Sequence, residues 1–216
     1  MTTTPLTDAI NALTRYANET TGAGDTNLSD AVATLVAGYG GGSSSPVLLL
    51  KWDFTQSLTD EIKGKTASLA NATRDANGVH FTGANNTMTF GSMPINGTTY
   101  ELDIANMDYN HAGSHGRFFL YDNTNGKGLI YRSTGKWAVY TGTWQESSFT
   151  DKNYFSGHTL KVVFDDYLYP SFYRDNTFMF KGNAPWSGLN SIGSYSISYY
   201  NADITGLRVY KGDTTV

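Results

Sequence analysis

From Pro46 to the end of the chain, apolar and polar residues alternate, and turn-forming residues recur roughly every eight to twelve positions. Successive side chains of a strand point to opposite sides, so a period of two residues predicts β-strands that bury one face. Roughly a dozen segments follow this pattern, among them VLLLKWDF, TYELDIANM, HTLKVVFDD and ITGLRVYKG. No helical pattern separates them, which excludes a parallel sheet built from strand-helix-strand units.

The composition is typical of short strands joined by tight turns. The chain has 23 glycines and 15 tyrosines among 216 residues, and 16% of its residues are charged. About 170 residues suffice for two packed sheets, and roughly a dozen strands exceed the seven of an immunoglobulin sandwich. No blade-length repeat indicates a propeller. The sequence therefore predicts a mainly β domain over residues 46–216, a two-sheet antiparallel jelly-roll sandwich.

The first 40 residues have a different pattern. Apolar residues recur at helical spacing twice within residues 6–39, once behind a capping Thr7 and once behind a capping Ser29. Each predicted helix is too short to be stable alone, so its apolar stripe needs a partner surface. We predict a short N-terminal helical hairpin in residues 1–40 that anchors or oligomerises the chain, and a flexible Gly/Ser linker at residues 41–45.

Four segments carry a resemblance to a known superfamily: LLLKWDFTQSLTDEIKGKTA, GVHFTGANNTMTFG, TTYELDIANMD and ADITGLRVYKGD. In pattern and order they resemble the concanavalin A-like lectin and glucanase superfamily, which includes laminin-G-like domains. The shared features are a first strand ending in Trp-Asp-Phe, a hairpin, a long central strand and a last strand ending in a basic residue. The resemblance covers about 165 residues. It implies a jelly-roll sandwich that binds or cleaves carbohydrate.

The N-terminal segment resembles a different group of proteins. Within residues 6–45, INALTRYANETTGAGDTNLSDAVATLVAGYGGG is similar to the short N-terminal segments of structural proteins from tailed bacteriophages that infect gut Firmicutes. This resemblance implies a protein of the virion surface, assembled in the cytoplasm of a host bacterium. It also implies that residues 1–40 contact other virion proteins and that the chain forms a homo-oligomer such as a trimer.

Several classes of function lack the residues that they need. A net charge of −4 provides no basic field for nucleic acid. No apolar run approaches the roughly 20 residues of a membrane span, and no basic and apolar leader opens the chain, so we expect a soluble protein without a membrane partner. The chain has no cysteine, which excludes disulfides and a thiol nucleophile. It has no Gly-x-Ser-x-Gly elbow and no phosphate-binding Gly-Lys-Thr loop.

One strand carries carboxylates in a pattern known from catalysis. Glu101-Leu-Asp103-Ile-Ala105 resembles the E-x-D-x-E strand of laminarinase-type glycoside hydrolases, in which the first Glu is the nucleophile and the last is the acid/base. This chain has Ala105 at the acid/base position, and Asp108 would face the opposite side of a regular strand unless a bulge re-aimed it. We therefore expect no catalysis. A glycoside hydrolase or lyase using Glu101 and Asp103 is the alternative.

Two kinds of residue pairs have the composition of metal ligands. His111 and His115 have the spacing of helical zinc ligands, but they lie in the glycine-broken segment HAGSHGR without a carboxylate at ligand spacing. The pairs Asp165-Asp166 and Asp122-Asn123 carry oxygens that suit calcium, although turn chemistry explains both. We expect no cofactor, with calcium as the alternative.

The remaining signal is a surplus of aromatic residues. Alternation in TTYELDIAN, GRFFLYDN and GKWAVYTG sends one set of side chains to the core and the other set to the opposite face. If these strands share a sheet, its open face combines carboxylates, cations and rings: Glu101, Asp103, Arg117, Phe119, Tyr121, Lys136 and Tyr140. The turns GTWQESSF and NAPWSGLN can present Trp144 and Trp186 as well.

Such a face suits a sugar, because rings stack on its apolar side while charged groups bind its hydroxyls. The predicted ligand is a host-surface or environmental glycan. The alternative is ordinary cross-strand pairing on a solvated face, with the two tryptophans plugging the ends of the sandwich.

Three hypotheses of function follow. The first is a bacteriophage virion-surface protein, on the head or the tail, that presents a carbohydrate-binding sandwich. The second is a glycoside hydrolase of the laminarinase type, and the third is a structural decoration domain without a ligand. Exposed rings favour the first, a second carboxylate about 5 Å from Glu101 favours the second, and a flat polar face favours the third.

Overall fold

The computed structural model describes residues 46–83, 85–110, 118–122, 126–132, 134–193 and 199–214. The chain divides into two units, residues 1–44 and 45–216, and the description below concerns the second. Several predictions fall outside the described residues: the helices within residues 6–39, the linker at 41–45, and His111, His115, Arg117 and Asn123.

Fifteen strands form in the described residues, and no helix occurs among them. The strands are β1 (Val47–Asp53), β2 (Ser68–Ala70), β3 (Thr73–Asp75), β4 (Gly78–Phe81), β5 (Thr87–Thr89), β6 (Thr98–Asn110), β7 (Phe118–Asp122), β8 (Lys127–Tyr131), β9 (Trp137–Tyr140), β10 (Trp144–Glu146), β11 (His158–Phe164), β12 (Pro170–Arg174), β13 (Thr177–Lys181), β14 (Ser191–Gly193) and β15 (Tyr199–Lys211). Four of them, β2, β3, β10 and β14, do not appear in the alternation pattern. Each has three residues, which is too short for a period of two to show.

The strands form two antiparallel sheets. The eight-stranded sheet has the order β13-β12-β11-β6-β15-β4-β3, and β1 is its eighth strand. β1 pairs with the last part of β15 and β4 with the first part. The seven-stranded sheet has the order β10-β9-β8-β7-β14-β5-β2. The predicted two-sheet antiparallel sandwich is confirmed. In the described part of the chain, no helix is long and apolar enough to cross a membrane.

The core lies between the two sheets and is rich in aromatic rings. Trp52, Trp137 and Trp186 are among the largest fully buried side chains. The Trp137 ring lies edge-on to Phe155, with ring centroids 4.9 Å apart. Each buried ring removes on the order of 150–250 Å² from water. These rings therefore supply much of the burial that holds the sheets together.

The longest ladder joins β6 and β15, which have 13 residues each. Their pairing runs from Thr98 opposite Lys211 to Asn110 opposite Tyr199, and it skips Ala105 and Thr205. An unpaired residue in an antiparallel ladder is a β-bulge, which bends the strand and shifts its alternation. The outer face of these two strands carries the polar cluster described next.

Candidate functional site

Glu101 and Asp103 lie on the outer face of β6, away from the core. Their neighbours in the strand, Tyr100, Leu102 and Ile104, are buried between the sheets, as the alternation predicts. The side chains of Glu101 and Asp103 are nevertheless only 14% and 26% exposed. Carboxylates withdrawn this far from water need partners.

The sheet register supplies those partners. Lys161 of β11 lies beside Glu101 on one side, and Arg208 of β15 lies beside it on the other. Lys161 Nζ is 3.2 Å from Glu101 Oε1, and Arg208 Nε is 3.2 Å from Glu101 Oε2. Arg208 also donates two hydrogen bonds to Asp103, each 2.8 Å long. We refer to Glu101, Asp103, Lys161 and Arg208 as the central ionic cluster.

Gly206 and Thr159 complete the surroundings of Asp103. A Cβ at Gly206 would lie 2.9 Å from Asp103 Oδ2, so a side chain there would press on the carboxylate that Arg208 holds. On the other side, Thr159 donates a hydrogen bond from Oγ1 to Asp103 Oδ1 at 2.8 Å. Two-bond pairing of a guanidinium with a carboxylate is strong and directional. Asp103 is therefore fixed in position.

The segment that follows β15 covers Glu101 and Lys161. Thr214 donates from Oγ1 to Glu101 Oε1 at 2.7 Å, and its carbonyl accepts from Lys161 Nζ at 3.1 Å. Lys161 also donates to Asn176 Oδ1 at 2.7 Å. Burial alone would raise the pKa of Glu101, but the hydrogen bonds from Thr214, Lys161 and Arg208 and the charge of Lys161 hold that pKa below its ordinary value.

Three adjoining pockets form a shallow groove across this face, which we call the polar groove. The first, of about 300 Å³, lies over β1 and β15. The second, of about 290 Å³, lies over β15, β6 and β11, and shares Asp103 and Thr205 with the first. The third, of about 190 Å³, shares Thr159 and Asp175 with the second and includes Glu101. The groove is lined mainly by carboxylates, hydroxyls and cations.

Ala105 lines the second pocket, where the resemblance to glycoside hydrolases places an acid/base. His158 and Asp175 line the same pocket, and His158 Nδ1 is 2.9 Å from Asp175 Oδ2. The backbone N–H of Thr159 donates to Asp175 Oδ1 at 3.0 Å. Burial alone would raise the pKa of Asp175, but the hydrogen bonds from Thr159 and His158 hold it below its ordinary value. Asp175 is therefore an ionised carboxylate and not a proton donor at neutral pH.

Asp108 does not face the side that a regular strand predicts. The bulge at Ala105 shifts the alternation, so Met107 is buried and Asp108 lies on the outer face. The bulge that the sequence analysis gave as the exception to a regular strand is therefore present. Asp108 is 2.9 Å from Lys152 Nζ and lies seven residues from Glu101, about 23 Å along an extended strand. Retaining hydrolysis needs carboxyl groups about 5 Å apart, so Asp108 does not replace the missing acid/base.

Most of the other predicted site residues that the structure describes lie in or next to strands of the other sheet. β7 and β9 are strands of the seven-stranded sheet, so the condition for a single open face, that the three strands share a sheet, is not met. Alternation fixes the side of a strand on which a residue lies, but it does not fix the sheet that the strand joins. The structure divides the predicted set: Glu101 and Asp103 on one sheet, and Phe119, Tyr121, Lys136 and Tyr140 in or next to strands of the other.

Tyr121 is buried, although the alternation predicts that it is open to ligand. It is 3% exposed, and Ile130 and Ala138, on the same face of β8 and β9, are 1% and 0% exposed. The side chains in the middle of the outer face of the seven-stranded sheet are therefore buried. A side chain that points away from the inter-sheet core is not thereby open to solvent, and Tyr121 is no longer a candidate.

An edge of the seven-stranded sheet gathers rings and charges. Trp144 of the edge strand β10 pairs with Tyr140 of β9, and their ring centroids are 4.6 Å apart. The Arg132 guanidinium lies 4.4 Å from the centre of the Trp144 ring and forms an ion pair with Glu146. Trp144 is 37% exposed. We refer to Arg132, Tyr140, Trp144 and Glu146 as the ring platform.

Further polar groups hold Glu146 in place. Thr134 donates from Oγ1 to Glu146 Oε1 at 2.8 Å, and Lys136 Nζ is 3.7 Å from Glu146 Oε2. The hydrogen bond from Thr134 and the charges of Arg132 and Lys136 keep the pKa of Glu146 below its ordinary value. The structure thus brings together three of the predicted site residues, Lys136, Tyr140 and Trp144.

Trp186 is a core residue and not a surface residue. It is 1% exposed, and its ring centroid lies 5.7 Å from that of Phe164 and 6.0 Å from that of Phe172. The prediction that its turn presents it to a ligand was wrong. The backbone N–H of Trp186 donates to the Leu168 carbonyl at 3.0 Å, and the indole gains more by filling the core than by facing water. For this residue, the alternative of a plugging tryptophan is confirmed.

Within the described ranges, no group of three His, Asp or Glu side chains is placed to hold a metal ion. Asp165, considered for calcium, accepts hydrogen bonds from the backbone N–H groups of Tyr167 and Tyr169 and from Lys181 Nζ. These contacts are those of an aspartate that closes a turn.

Sequence reasoning misses Lys161, Arg208 and Arg132. The first two are visible as single cations at outward positions of apolar strands, in HTLKVVF and GLRVYKG. That they flank one carboxylate follows from the strand order, which no local pattern contains. Arg132 follows β8 and reaches across the sheet to Trp144, a contact for which the sequence gives no signal.

Comparison with known proteins finds similarity in fold. No protein-family model and no curated protein sequence matches the chain. Domain 4 of AbnA, a GH43 extracellular arabinanase from Geobacillus stearothermophilus, solved in complex with arabinotriose, matches with a TM-score of 0.55 at 12% identity over 78% of this chain and 94% of that one. Trypanosoma rangeli sialidase in complex with the inhibitor DANA matches with a TM-score of 0.57 at 16% identity over 82% of this chain and 32% of that one.

The match to the sialidase thus spans about a third of that protein. At such identities the comparisons establish the fold alone. The chain has a β-sandwich fold that also occurs in domains of glycoside hydrolases.

Proposed function

We propose that the chain is a glycan-binding module whose ligand contacts the ring platform. The observation that carries the proposal is the pairing of Trp144 with Tyr140 at an exposed sheet edge, beside the ion pair of Arg132 and Glu146. Adjacent rings offer apolar faces to the CH groups of a sugar, and the ion pair offers donors and acceptors to its hydroxyls. The likeness in fold to a domain solved with arabinotriose supports this class of ligand.

The platform is held in place before a ligand arrives. Arg132 rests on the Trp144 ring and is tied to Glu146, which Thr134 and Lys136 bind in turn. Side chains that are already ordered lose less conformational entropy on binding. Preorganised rings next to fixed charges are therefore better suited to a weakly held ligand such as a sugar than mobile rings would be.

A glycan array tests the proposal. Trp144→Ala should reduce binding about tenfold, the effect of losing about 1.4 kcal/mol of contact with an aromatic anchor. Tyr140→Ala should reduce it less, because the Tyr140 ring is smaller and less exposed than the Trp144 ring. The matched control is Tyr167→Ala. The Tyr167 ring is 79% exposed in a turn outside the platform, so its removal should leave glycan binding unchanged. Undiminished binding by the Trp144→Ala, Tyr140→Ala double variant, at an unchanged melting temperature, would refute the site.

We further propose that the module binds without cleaving. A retaining glycosidase needs a general acid whose pKa is raised, placed near a nucleophile. The contacts of Glu101 lower its pKa, and Arg208 holds Asp103 through two hydrogen bonds. We expect no release of reducing ends from β-glucans or bacterial wall polysaccharides. Release that disappears in Glu101→Gln would instead support the glycoside hydrolase, and an array with no binding at all would support a decoration domain.

The setting that we propose is the surface of a bacteriophage particle, and its support is the resemblance of residues 6–45. Residues 1–40 would attach the chain to the virion or join sister chains, and the linker at 41–45 would let the sandwich reach a glycan of the host surface.

We expect light scattering of the full chain to give the mass of a trimer. Limited proteolysis should cut within residues 38–46 and leave a fragment of about 170 residues. A monomeric full chain, or a stable fragment that begins elsewhere, would contradict this setting.

A further inference from the structure

The residues after β15 fold back to one end of the polar groove and contact Glu101 and Lys161, which line its third pocket. The N–H of Gly212 donates to the Gly97 carbonyl at 3.0 Å, and the carbonyl of Gly212 accepts from Thr99 Oγ1 at 2.7 Å. Two residues further along, Thr214 contacts Glu101 and Lys161. The segment is thus fixed beside the start of β6 before it enters the groove.

Thr214 fills hydrogen-bonding positions that two charged groups would otherwise leave open. An ammonium has three donors, and those of Lys161 meet Asn176 Oδ1, Glu101 Oε1 and the Thr214 carbonyl at 2.7, 3.2 and 3.1 Å. Without Thr214, the Lys161 ammonium would lose one of its three partners, and Glu101 would lose the hydroxyl donor at 2.7 Å. A ligand that supplies the same acceptor and the same donor would restore both contacts.

The two contacts define the chemical group that Thr214 represents. In threonine, one carbon atom lies between the carbonyl carbon and the carbon that bears the hydroxyl, so the groove holds a β-hydroxy carbonyl group. A uronic acid at the non-reducing end of a glycan has the same arrangement, because C5 lies between its C6 carboxyl and its C4 hydroxyl. Its carboxylate would form an ion pair with the Lys161 ammonium, whereas the threonine carbonyl accepts a hydrogen bond from that ammonium without carrying a charge of its own.

We propose that the polar groove is a second glycan-binding site, selective for a terminal uronic acid, and that Thr214 blocks it by occupying the position of the uronate. Thr159, Thr205 and Asp175 line the adjoining pocket and offer partners to the other hydroxyls of the sugar. The tethered Thr214 competes at an effective concentration on the order of millimolar. A weak ligand therefore binds when this segment withdraws. The proposal does not depend on the ring platform, which lies on the other sheet.

The experiment compares the full chain with a chain shortened to end at Gly212, which keeps the contacts of Gly212. The probe is methyl β-glucuronoside, and binding is measured by isothermal titration calorimetry. The matched control ligand is methyl β-glucoside, which has the same ring hydroxyls but a hydroxymethyl group in place of the carboxylate. We expect the dissociation constant for the glucuronoside to be at least about tenfold lower for the shortened chain, and we expect neither chain to bind the glucoside.

Three variants assign the effect to the groove. Thr214→Val in the full chain removes the hydroxyl and keeps the carbonyl, so it should give about a threefold gain in affinity. Glu101→Gln in the shortened chain should weaken glucuronoside binding about fivefold, because a neutral acceptor replaces a charged one. Trp144→Ala in the shortened chain should have no effect. Failure of this proposal is therefore distinguishable from failure of the ring platform.

Equal affinity of the full and shortened chains for the glucuronoside overturns the proposal, as does equal affinity for glucuronoside and glucoside. Tighter binding of N-acetylthreonine methylamide than of the glucuronoside also overturns it, because the groove would then be a peptide site. If the melting curve shows that the shortened chain does not fold, Thr214→Val decides: an unchanged dissociation constant refutes the blocking role.

Discussion

The central ionic cluster and the ring platform each contain a glutamate paired with cations, but the two glutamates differ in their place in the sheets. Glu101 lies in a central strand, between cations on two neighbouring strands, and the Lys161 side chain beside it is 4% exposed. Glu146 lies in an edge strand with one neighbour, and the Lys136 side chain beside it is 43% exposed. The ion-pair distances are 3.2 Å for Lys161 and 3.7 Å for Lys136.

This difference separates charges that hold the fold from charges that are available to a ligand. An enclosed pair adds little net stability but is costly to break, because the partner that remains is uncompensated. An exposed pair adds little and costs little. Lys136 can therefore release Glu146 to a ligand, while Arg132 and Glu146, whose side chains are 23% and 25% exposed, stay paired. The cluster exchanges its contacts only for an equivalent partner such as the one that Thr214 supplies.

The largest expected effect contrasts the two lysines. Lys161→Met should lower the free energy of unfolding by about 3 kcal/mol, because it leaves Glu101 without its most enclosed partner. Lys136→Met, the matched control, should lower it by less than about 0.5 kcal/mol. Urea unfolding of the three proteins measures both values. Similar losses for the two variants would mean that enclosure does not distinguish the cluster from the platform.

A titration with acid sharpens the comparison. The folded state lowers the pKa of Glu101 below its ordinary value of 4.5, so this group contributes stability that is present above that value and is lost as the pH falls through the folded pKa. The difference in unfolding free energy between the wild type and Glu101→Gln should be greatest near pH 7 and shrink below about pH 4.5. A difference that stays constant from pH 7 to pH 3 would show that the charge of Glu101 is not what its partners bind.

A double-mutant cycle measures the interaction energy between two residues of the platform. The coupling between Arg132→Ala and Trp144→Ala should be about 0.5–1 kcal/mol, the value of a solvent-exposed cation–π contact. The same cycle on Glu101 and Lys161 should give a larger coupling. A platform coupling above about 2 kcal/mol would place Arg132 and Trp144 among the enclosed contacts and weaken the case for a ligand surface.

The smallest expected effect lies at the far edge of the eight-stranded sheet. His80 Nε2 is 2.8 Å from Asp75 and Nδ1 is 2.7 Å from Asp203, and hydrogen bonds to Asp75 and then Asp203 raise the pKa of His80. The resulting stability is complete below the ordinary pKa of 6.5 and is lost as the pH rises through the folded pKa.

The advantage of the wild type over His80→Asn should therefore be larger at pH 6 than at pH 9. The change should be a few tenths of a kcal/mol, because the Asp75 and Asp203 side chains are 58% and 36% exposed. Urea unfolding at the two pH values measures it, and an advantage that grows with pH would contradict the assigned charge state.

Alternation predicts the class of fold and much of the packing within single strands. In β6 it identifies the three buried residues around Glu101 and Asp103, because burial of apolar groups acts on each strand locally. It does not predict that β7 and β9 belong to the other sheet, since strand order depends on contacts between residues far apart in the chain. The bulge at Ala105 is missed for the same reason, because it depends on the register with β15.

The candidate sites show the same limit. Trp144 and Trp186 both lie in segments that the sequence predicts to be polar turns, yet Trp144 is 37% exposed in the edge strand β10 and Trp186 is 1% exposed. The sequence around the two tryptophans does not predict which of them is buried in the core and which lies at a sheet edge. Lys161 and Arg208 carry a local signal, a single cation facing outward in an apolar strand, and only the strand order places both beside Glu101.

The place of β15 in the eight-stranded sheet has a consequence for synthesis. β15 pairs with β1, β4 and β6. These three strands are synthesised earlier and stay without this partner while the ribosome, which adds roughly 5–20 residues per second, completes β15. Until residues 199–211 leave the exit tunnel, those strands present unpaired edges of the kind that template aggregation. Closure of the sandwich is thus coupled to the emergence of β15 from the ribosome, and a nascent chain stalled before residue 199 is the form most in need of a chaperone.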